Sequence, residues 1–224
     1  MSVLREFITG HGMFVCYPCP WSFIRLRVLF MIVMINGSFG VGKTTIAKLL
    51  RSSLLRSAIF DPEWAGFVFR RLPKWIKLNG SGSDDYQNID LWRRSTVAGV
   101  RLFRLFASGP VIIPMAFSRR DYFDEIVRGI EALDSELRVF CLKASLATIK
   151  KRLVERGTKI EGTESEWIAR RIIECVEAHD DPHFGEPVDT EHNSASEVAE
   201  EIIRRLRLNG RLGPTHLTSH RGRA

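Results

Sequence analysis

Short apolar runs alternate along this chain with longer segments whose apolar residues recur every three or four positions. The runs predict strands at residues 29–36, 58–60, 111–115, 138–143 and 187–190. The longer segments predict helices at residues 43–57, 91–107, 121–133, 145–156, 166–179 and 196–208. Between the second strand and the second helix the pattern is mixed, with helix fragments around residues 63–72 and a polar loop at residues 79–85. Strands that alternate with helices favour a five-stranded parallel sheet covered by helices on both faces, which is a three-layer α/β/α fold.

Only the middle of the chain carries this alternation. Residues 1–28 show no clear periodicity, and Pro18 and Pro20 interrupt any helix there. Residues 209–224 are rich in Gly, Pro and Arg, which favours a basic, disordered tail. We therefore expect one domain at residues 29–208 and an N-terminal extension at residues 1–28 that lies outside the fold, with a functional start near Met31.

Composition favours a cytoplasmic protein. Hydrophobic residues make up 45% and charged residues 26% of the 224 residues, and no apolar run reaches the roughly 18–20 residues that span a bilayer. The four cysteines are too few for a disulfide framework, and the single CxxC at Cys16 and Cys19 lacks a second pair to complete a metal site. Much of the net charge of +7 comes from arginines near the C-terminus, so it does not by itself indicate a nucleic-acid partner.

Residues 37–44, GSFGVGKT, match the phosphate-binding pattern G-x-x-x-x-G-K-[ST] in full. Glycines allow successive backbone N–H groups to converge on an anion, and the helix that follows adds the positive end of its dipole. We expect Lys43 to reach the β- and γ-phosphates and Thr44 to ligate Mg²⁺. The predicted nucleotide-binding residues are Gly37, Ser38, Phe39, Gly40, Val41, Gly42, Lys43, Thr44 and Thr45. Because the motif follows an apolar strand and opens a helix, nucleoside-triphosphate binding is favoured over a plain glycine-rich turn.

Three classes of protein use such a loop: GTPase switches, mechanical ATPases and kinases. A guanine-specific switch would show N-K-x-D and D-x-x-G motifs, and neither is present. A motor would place acidic residues after a buried strand, yet the third predicted strand runs into VIIPMAF without a carboxylate. The sequence therefore favours a kinase with ATP and Mg²⁺ as cofactors. The histidines lack ligand spacing, so no further metal is expected.

The segment KKRLVERG, which is followed by a glycine-bearing loop, resembles the nucleoside-monophosphate-kinase-like group of P-loop proteins. In that group an arginine-bearing helix precedes a mobile helical lid over the ATP. The resemblance implies that Arg152 lies against the adenine and that Arg156 reaches the phosphates; one helical turn separates them, so they share a face. The alternative is a solvated helix face. The resemblance also implies a lid at residues 156–167 and a role for Arg170 or Arg171 at the transferring phosphoryl group, while residues 190–193 are expected to border the adenine.

A narrower resemblance is to the tunicamycin-resistance proteins, a small P-loop family. It is carried by INGSFGVGKT (35–44), DPEWAGF (61–67), DDYQNIDLWR (84–93), IIPMAF (112–117), DYFDEI (121–126) and WIARRIIECVE (167–177). It implies a small-molecule kinase whose acceptor is tunicamycin or a related nucleoside antibiotic. Kinases of similar build place an aspartate at the end of the second strand to accept the proton of the attacking hydroxyl, so Asp61 is the candidate base beside Lys43 and Arg156. The alternative is that Asp61 only caps the turn before Pro62.

Candidate acceptor-binding residues come from the same segments, since an amphipathic acceptor needs aromatic walls and a few polar anchors. They are Trp64, Phe67, Asp85, Tyr86, Gln87, Trp92 and Arg93, with Met115 and Phe117 across the crevice. Trp92 and Arg93 fit a core residue and a surface residue equally well. The sequence favours an ATP-dependent phosphotransferase acting on a hydroxyl, without nucleic acid or a membrane span. Two alternatives stay open: a kinase of an ordinary nucleoside, nucleotide or sugar, and a protein that sequesters the antibiotic without transfer.

Overall fold

The structure is a computed structural model that describes residues 31–62, 90–133, 136–157 and 163–208, without the side chains of residues 163–165 and 167. The expected N-terminal extension, the C-terminal tail and the mixed segment at residues 63–89 lie outside these residues. The described chain contains one parallel sheet with the strand order β2-β3-β1-β4-β5. Its strands are β1 (Met31–Gly37), β2 (Ala58–Ile59), β3 (Val111–Met115), β4 (Glu136–Lys143) and β5 (Glu186–Asp189). The expected five-stranded parallel sheet is confirmed.

Helices cover both faces of the sheet. They are α1 (Lys43–Ser53), α2 (Asp90–Phe106), α3 (Arg120–Glu131), α4 (Leu146–Glu155), α5 (Thr163–Ala178) and α6 (Ala195–Leu208), with a short 3₁₀ turn at Pro182–Phe184. The central strand β1 is buried throughout, and its side chains alternate between two cores. Met31, Val33 and Ile35 pack with α1 and α6, whereas Ile32 and Met34 pack with α2 and α3. The predicted three-layer arrangement is therefore present.

Helix α1 ends four residues earlier than the apolar pattern predicts. Its last helical residue is Ser53, and Leu54 is already extended, with φ −96° and ψ 119°. The hydroxyl of Ser57 donates to the carbonyls of Arg51 (3.1 Å) and Leu54 (2.8 Å), and so satisfies acceptors that the helix leaves open. This turn returns the chain to the amino edge of the sheet, where β2 begins.

Helix α6 starts with a capping box. The Ser194 hydroxyl accepts a hydrogen bond from the Glu197 amide (3.3 Å), and the Glu197 carboxylate accepts one from the Ser194 amide (2.7 Å). The box fixes the first turn of α6 immediately after the loop that follows β5. Among the described residues, no helix combines the length and the apolar character that a membrane span requires.

Candidate functional site

The phosphate loop connects the end of β1 to the start of α1 and depends on two glycines in left-handed backbone conformations. Gly40 has φ +80° and Gly42 has φ +114°, values that side chains rarely permit. A Cβ on Gly40 would lie 2.9 Å from Leu153 Cγ on α4, whereas a Cβ on Gly42 would meet no atom within 4 Å. Gly40 therefore allows α4 to pack against the loop, and Gly42 keeps space free at the N-terminus of α1.

Lys43 lies at the centre of this loop with its side chain folded back over it. The residue is only 7% exposed, and its Nζ donates to the carbonyl oxygens of Gly37 (2.9 Å) and Ser38 (3.0 Å). The ammonium group also lies 5.3 Å from the centre of the Phe39 ring. An ammonium held by neutral carbonyls can exchange them for phosphate oxygens, which are stronger acceptors because they are charged.

Ser38 supplies a second group that suits a phosphate. Its side chain is 2% exposed, and its hydroxyl has no hydrogen-bond partner among the described residues. A buried hydroxyl without a partner is costly, and a phosphate oxygen in the loop would satisfy it. Thr44 and Thr45 are exposed on the first turn of α1. This arrangement fits a triphosphate with its magnesium ion, which Thr44 would help to hold.

Asn36, the residue before the phosphate loop, anchors the start of that loop, although the sequence analysis assigned it no role. Its Oδ1 accepts hydrogen bonds from the amides of Gly37 (3.0 Å) and Phe117 (2.9 Å), and its Nδ2 donates to the Phe184 carbonyl (3.3 Å). The side chain is fully buried. One carboxamide thus joins the ends of β1 and β3 to the 3₁₀ turn. An Asn directly before the first glycine of the motif is the sequence signal that could have indicated it.

A cavity of about 210 Å³ opens beside the phosphate loop. It is lined by residues of the loop, α1, α4 and the segment from β5 into α6: Val41, Gly42, Thr45, Ile46, Arg152, Arg156, Thr190, Asn193, Ser194, Ala195 and Val198. Arg152 and Arg156 both reach it, as expected for residues on one face of α4. The Arg152 guanidinium donates to the carbonyl of Val41 (3.3 Å), to the hydroxyl of Thr190 (3.2 Å) and to the Thr190 carbonyl. Arg152 thereby ties the phosphate loop to the end of β5, where residues 190–193 were expected to border the adenine.

Asp61 lies just past the end of β2, at the carboxyl edge of the sheet. The residues on either side of it are held by the neighbouring strand and by α2: the Phe60 amide donates to the Ile112 carbonyl (2.9 Å), and the Trp92 indole Nε1 donates to the Pro62 carbonyl (3.1 Å). Asp61 itself is exposed. The carboxyl edge of an open parallel sheet is where ligands bind, so this carboxylate is positioned for one.

The predicted acceptor residues are only partly described. Trp64, Phe67, Asp85, Tyr86 and Gln87 lie outside the described residues, as does the centre of the predicted lid at residues 158–162. The side chains of Trp92, Met115 and Phe117 belong to the core beneath the crevice, with at most 1% exposed. In this structure the three side chains pack together between the sheet and helices α2 and α3, with Trp92 contributed by α2 itself. Arg93 is 11% exposed and ion-paired with Asp90 and Glu125.

The two arginines after the predicted lid have different environments. Arg170 is exposed, whereas Arg171 is 5% exposed, and its Nη1 donates to the Ser118 hydroxyl (2.7 Å) and the Glu174 carboxylate (2.8 Å). About two turns later, His179 is buried, and its Nε2 lies 2.7 Å from the Phe117 carbonyl. Burial lowers the pKa of His179 to about 4, so the ring is neutral at pH 7 and donates this hydrogen bond. Helix α5 is thus fastened to the end of β3.

The described residues contain no group of His, Cys, Asp and Glu that could hold a metal ion.

Comparison with known proteins agrees with this fold. The chain covers 95% of the tunicamycin resistance protein of Deinococcus radiodurans, at 27% sequence identity over 79% of its own length and with a TM-score of 0.61. A gluconokinase from Sinorhizobium meliloti 1021 is 18% identical, with 82% of this chain and 97% of that chain covered and a TM-score of 0.52. The thymidylate kinase of Candida albicans is 16% identical, with 84% and 96% covered and a TM-score of 0.51. The resemblance to tunicamycin-resistance proteins is confirmed, and the two more distant kinases show the shared fold.

No curated protein matches this sequence. A family model described as an AAA domain matches residues 32–174, which is more than half of the chain and includes the phosphate loop, β3, β4 and α4. The chain therefore belongs to the AAA domain family, and its fold is that of the P-loop kinases.

Proposed function

We propose that this protein is an ATP-dependent phosphotransferase that phosphorylates a hydroxyl group of a small molecule, with tunicamycin or a related nucleoside antibiotic as the acceptor. The observation that carries the proposal is a phosphate loop with a buried, exchangeable Lys43, on the same sheet edge as the exposed Asp61 carboxylate. In the strand order β2-β3-β1 these elements lie two strands apart, which is on the order of 10 Å. That separation leaves room for a terminal phosphate and an acceptor hydroxyl.

Each residue has a role that follows from its position. Lys43 would leave the carbonyls of Gly37 and Ser38 and bind phosphate oxygens, and the orphan Ser38 hydroxyl would donate to the same phosphates. Bound Mg-ATP supplies the phosphoryl group and the metal charge that offsets the negative charge of the transition state. Arg152 would stabilise the nucleotide in the cavity beside Thr190. Arg156, exposed at the end of α4, would reach the phosphates.

Asp61 would act on the acceptor. Its carboxylate would accept a hydrogen bond from the attacking hydroxyl, orient it towards the terminal phosphate and take its proton as the bond to phosphorus forms. Closure of residues 156–167 over the site would exclude water and limit wasteful ATP hydrolysis.

The antibiotic as acceptor is supported by the similarity to the Deinococcus radiodurans protein, which is named for tunicamycin resistance. Two alternatives use the same site. In one the acceptor is an ordinary nucleoside, nucleotide or sugar; in the other the protein binds the antibiotic with ATP and transfers nothing. The folds of the gluconokinase and thymidylate kinase leave the first alternative open.

Asp61→Asn separates transfer from sequestration. If Asp61 is the base, the substitution should lower the rate of tunicamycin phosphorylation by about 10²-fold or more, while the dissociation constants for ATP and tunicamycin change by less than about threefold. Glu131→Gln, an equivalent acid-to-amide change at the exposed end of α3, is the matched control and should leave the rate unchanged. Cells protected equally well by wild-type protein and Asp61→Asn would instead support sequestration.

A further inference from the structure

A second cavity has a volume of about 560 Å³. The described residues that line it belong to the loop after β3 and to α5: Ser118, Arg119, Glu174, Glu177 and Ala178. The β3 loop is fastened to the start of the phosphate loop, because the Phe117 amide donates to Asn36 Oδ1 (2.9 Å). Strand β3 lies directly beside β1, and among the described residues this cavity shares no lining residue with the cavity that contains Arg152. An acceptor must attack the terminal phosphate from the side opposite the leaving group, so this second cavity suits the acceptor.

Arg171, one turn before Glu174 on α5, is already paired with a carboxylate. The side chain of Arg171 is 6% exposed, and its Nη1 donates to Glu174 (2.8 Å) and to the Ser118 hydroxyl (2.7 Å). A buried guanidinium with a carboxylate partner is a poor receptor for a further anion, since the anion would have to displace Glu174 or lie beside it.

Two more arginines on this side of the site are neutralised in the same way. Arg119 donates to both oxygens of Asp121 (2.6 and 3.1 Å), and Arg93 donates to Glu125 (2.6 Å) and to Asp90 (3.2 Å). Both guanidinium groups stack on the ring of Tyr122, at 4.1 and 4.3 Å from its centre. These contacts hold the arginines in place and direct their charge to protein carboxylates.

The remaining polar group of the cavity is an acceptor of hydrogen bonds. Glu177 is exposed, and its carboxylate makes no hydrogen bond or ion pair with any described residue. Glu174, one turn earlier, is paired with Arg171, so among the described residues Glu177 carries the unpaired negative charge of the α5 wall. A phosphate or carboxylate on the acceptor would be repelled there, whereas hydroxyl and N–H groups would form charge-assisted hydrogen bonds.

We infer that the acceptor is an uncharged molecule that presents several hydroxyl or N–H groups, such as a sugar or a nucleoside, and that Glu177 and Glu174 bind those groups. The inference rests on the proposed function, because only a phosphotransferase has an acceptor. Among the alternatives kept open above, it selects nucleosides and neutral sugars over nucleotides and sugar acids.

Pairs of compounds that differ chiefly in charge test the inference. Calorimetry with Mg²⁺ and a non-hydrolysable ATP analogue would measure ligand binding to the full-length protein. The ligands are uridine and uridine monophosphate, glucose and gluconate, and tunicamycin. Mass spectrometry with Mg-ATP would record any phosphorylated product separately. At least one neutral compound should bind, and each neutral member that binds should do so at least about tenfold more tightly than its charged counterpart.

Two substitutions locate the effect. Glu177→Gln replaces a charged acceptor by a neutral amide and should weaken binding of the neutral compound by about fivefold. Glu200→Gln, at an exposed position of α6 on the far side of the sheet, should not change it. Any one of three results would overturn the inference. The charged compounds could bind as tightly as the neutral ones or more tightly, the two substitutions could have equal effects, or no neutral compound could bind. Selective binding of a neutral compound without product would refute the transferase, and the inference about its acceptor with it, while leaving a site that prefers neutral ligands. Phosphorylation of only a charged acceptor would support the transferase and overturn the inference.

Discussion

The two left-handed glycines of the phosphate loop should respond differently to alanine, because only one of them is packed against another element. At Gly40 the new methyl group would lie 2.9 Å from Leu153 Cγ and 3.3 Å from Ile149 Cγ2. An L residue in this conformation costs about 1–2 kcal/mol, and forcing a methyl group into a packed contact costs about 1–3 kcal/mol more. Gly40→Ala should therefore lower the free energy of unfolding by about 2–5 kcal/mol.

Gly42→Ala should act mainly on nucleotide binding. The φ of +114° at residue 42 is also unfavourable for alanine, and this conformation costs about 1–3 kcal/mol. The added methyl group, however, meets no atom within 4 Å. Under the proposed function the phosphates occupy that open space, so the dissociation constant for Mg-ATP should rise by about tenfold or more. Gly40→Ala should bind ATP less tightly only to the extent that α4 and Arg152 move.

Equilibrium unfolding in urea and ATP titration would measure both effects. Leu153→Ala removes the side chain that the methyl group at residue 40 would contact, so Gly40→Ala should cost about 1–3 kcal/mol less in that background than alone. Gly42→Ala should cost the same in both backgrounds. Additive costs for the Gly40→Ala and Leu153→Ala pair, to within about 0.5 kcal/mol, would refute the packing explanation.

Three further outcomes follow from single side chains. Arg152→Lys keeps the charge but loses the planar group that donates to the Val41 carbonyl and to the hydroxyl and carbonyl of Thr190. ATP titration should therefore show an affinity for ATP that is reduced by about tenfold. An unchanged affinity would mean that Arg152 is only structural. Trp92→Phe removes the hydrogen bond to the Pro62 carbonyl and should lower kcat more than it changes KM for ATP; an effect on stability alone would argue against a positioning role for Trp92. Burial lowers the pKa of His179 from 6.5 to about 4 on folding. Between these pH values the unfolded chain therefore binds more protons than the folded protein. The free energy of unfolding should fall as the pH drops through this range, by up to about 3 kcal/mol. His179→Gln should remove that part of the pH dependence, and an identical pH profile would contradict it.

Local patterns were sufficient to predict the features that depend on neighbouring residues. The strand at residues 111–115 has the predicted limits, because a buried parallel strand is a continuous apolar run, which here begins directly after Pro110. The phosphate loop could likewise be recognised from the sequence, since its glycines, Lys43 and Thr44 all lie within eight consecutive residues. Ser194 and Glu197 form a capping box that the sequence also contains, so the start of α6 could have been fixed from it.

Features that depend on distant contacts could not be predicted in the same way. Large apolar residues such as Trp92, Met115 and Phe117 suit the wall of a crevice and the core beneath it equally well. Only the packing between the sheet and helices α2 and α3 shows that these three lie in the core. The pairing of Arg171 with Ser118 joins residues 53 positions apart, and no local pattern encodes it. Asn36 falls between these cases, because its position before Gly37 is visible in the sequence but its bond to the Phe117 amide is not.

The central claim is that the protein transfers a phosphoryl group to a small molecule. It is tested most directly by incubating the full-length chain with Mg-ATP and tunicamycin and measuring the mass of the antibiotic, with Lys43→Met in parallel. The account predicts antibiotic heavier by one phosphoryl group with wild-type protein and a product yield lower by about 10²-fold or more with Lys43→Met, which keeps the side-chain length but cannot donate to the phosphates. Unmodified tunicamycin that binds tightly to the wild-type protein in the presence of Mg-ATP would contradict the claim.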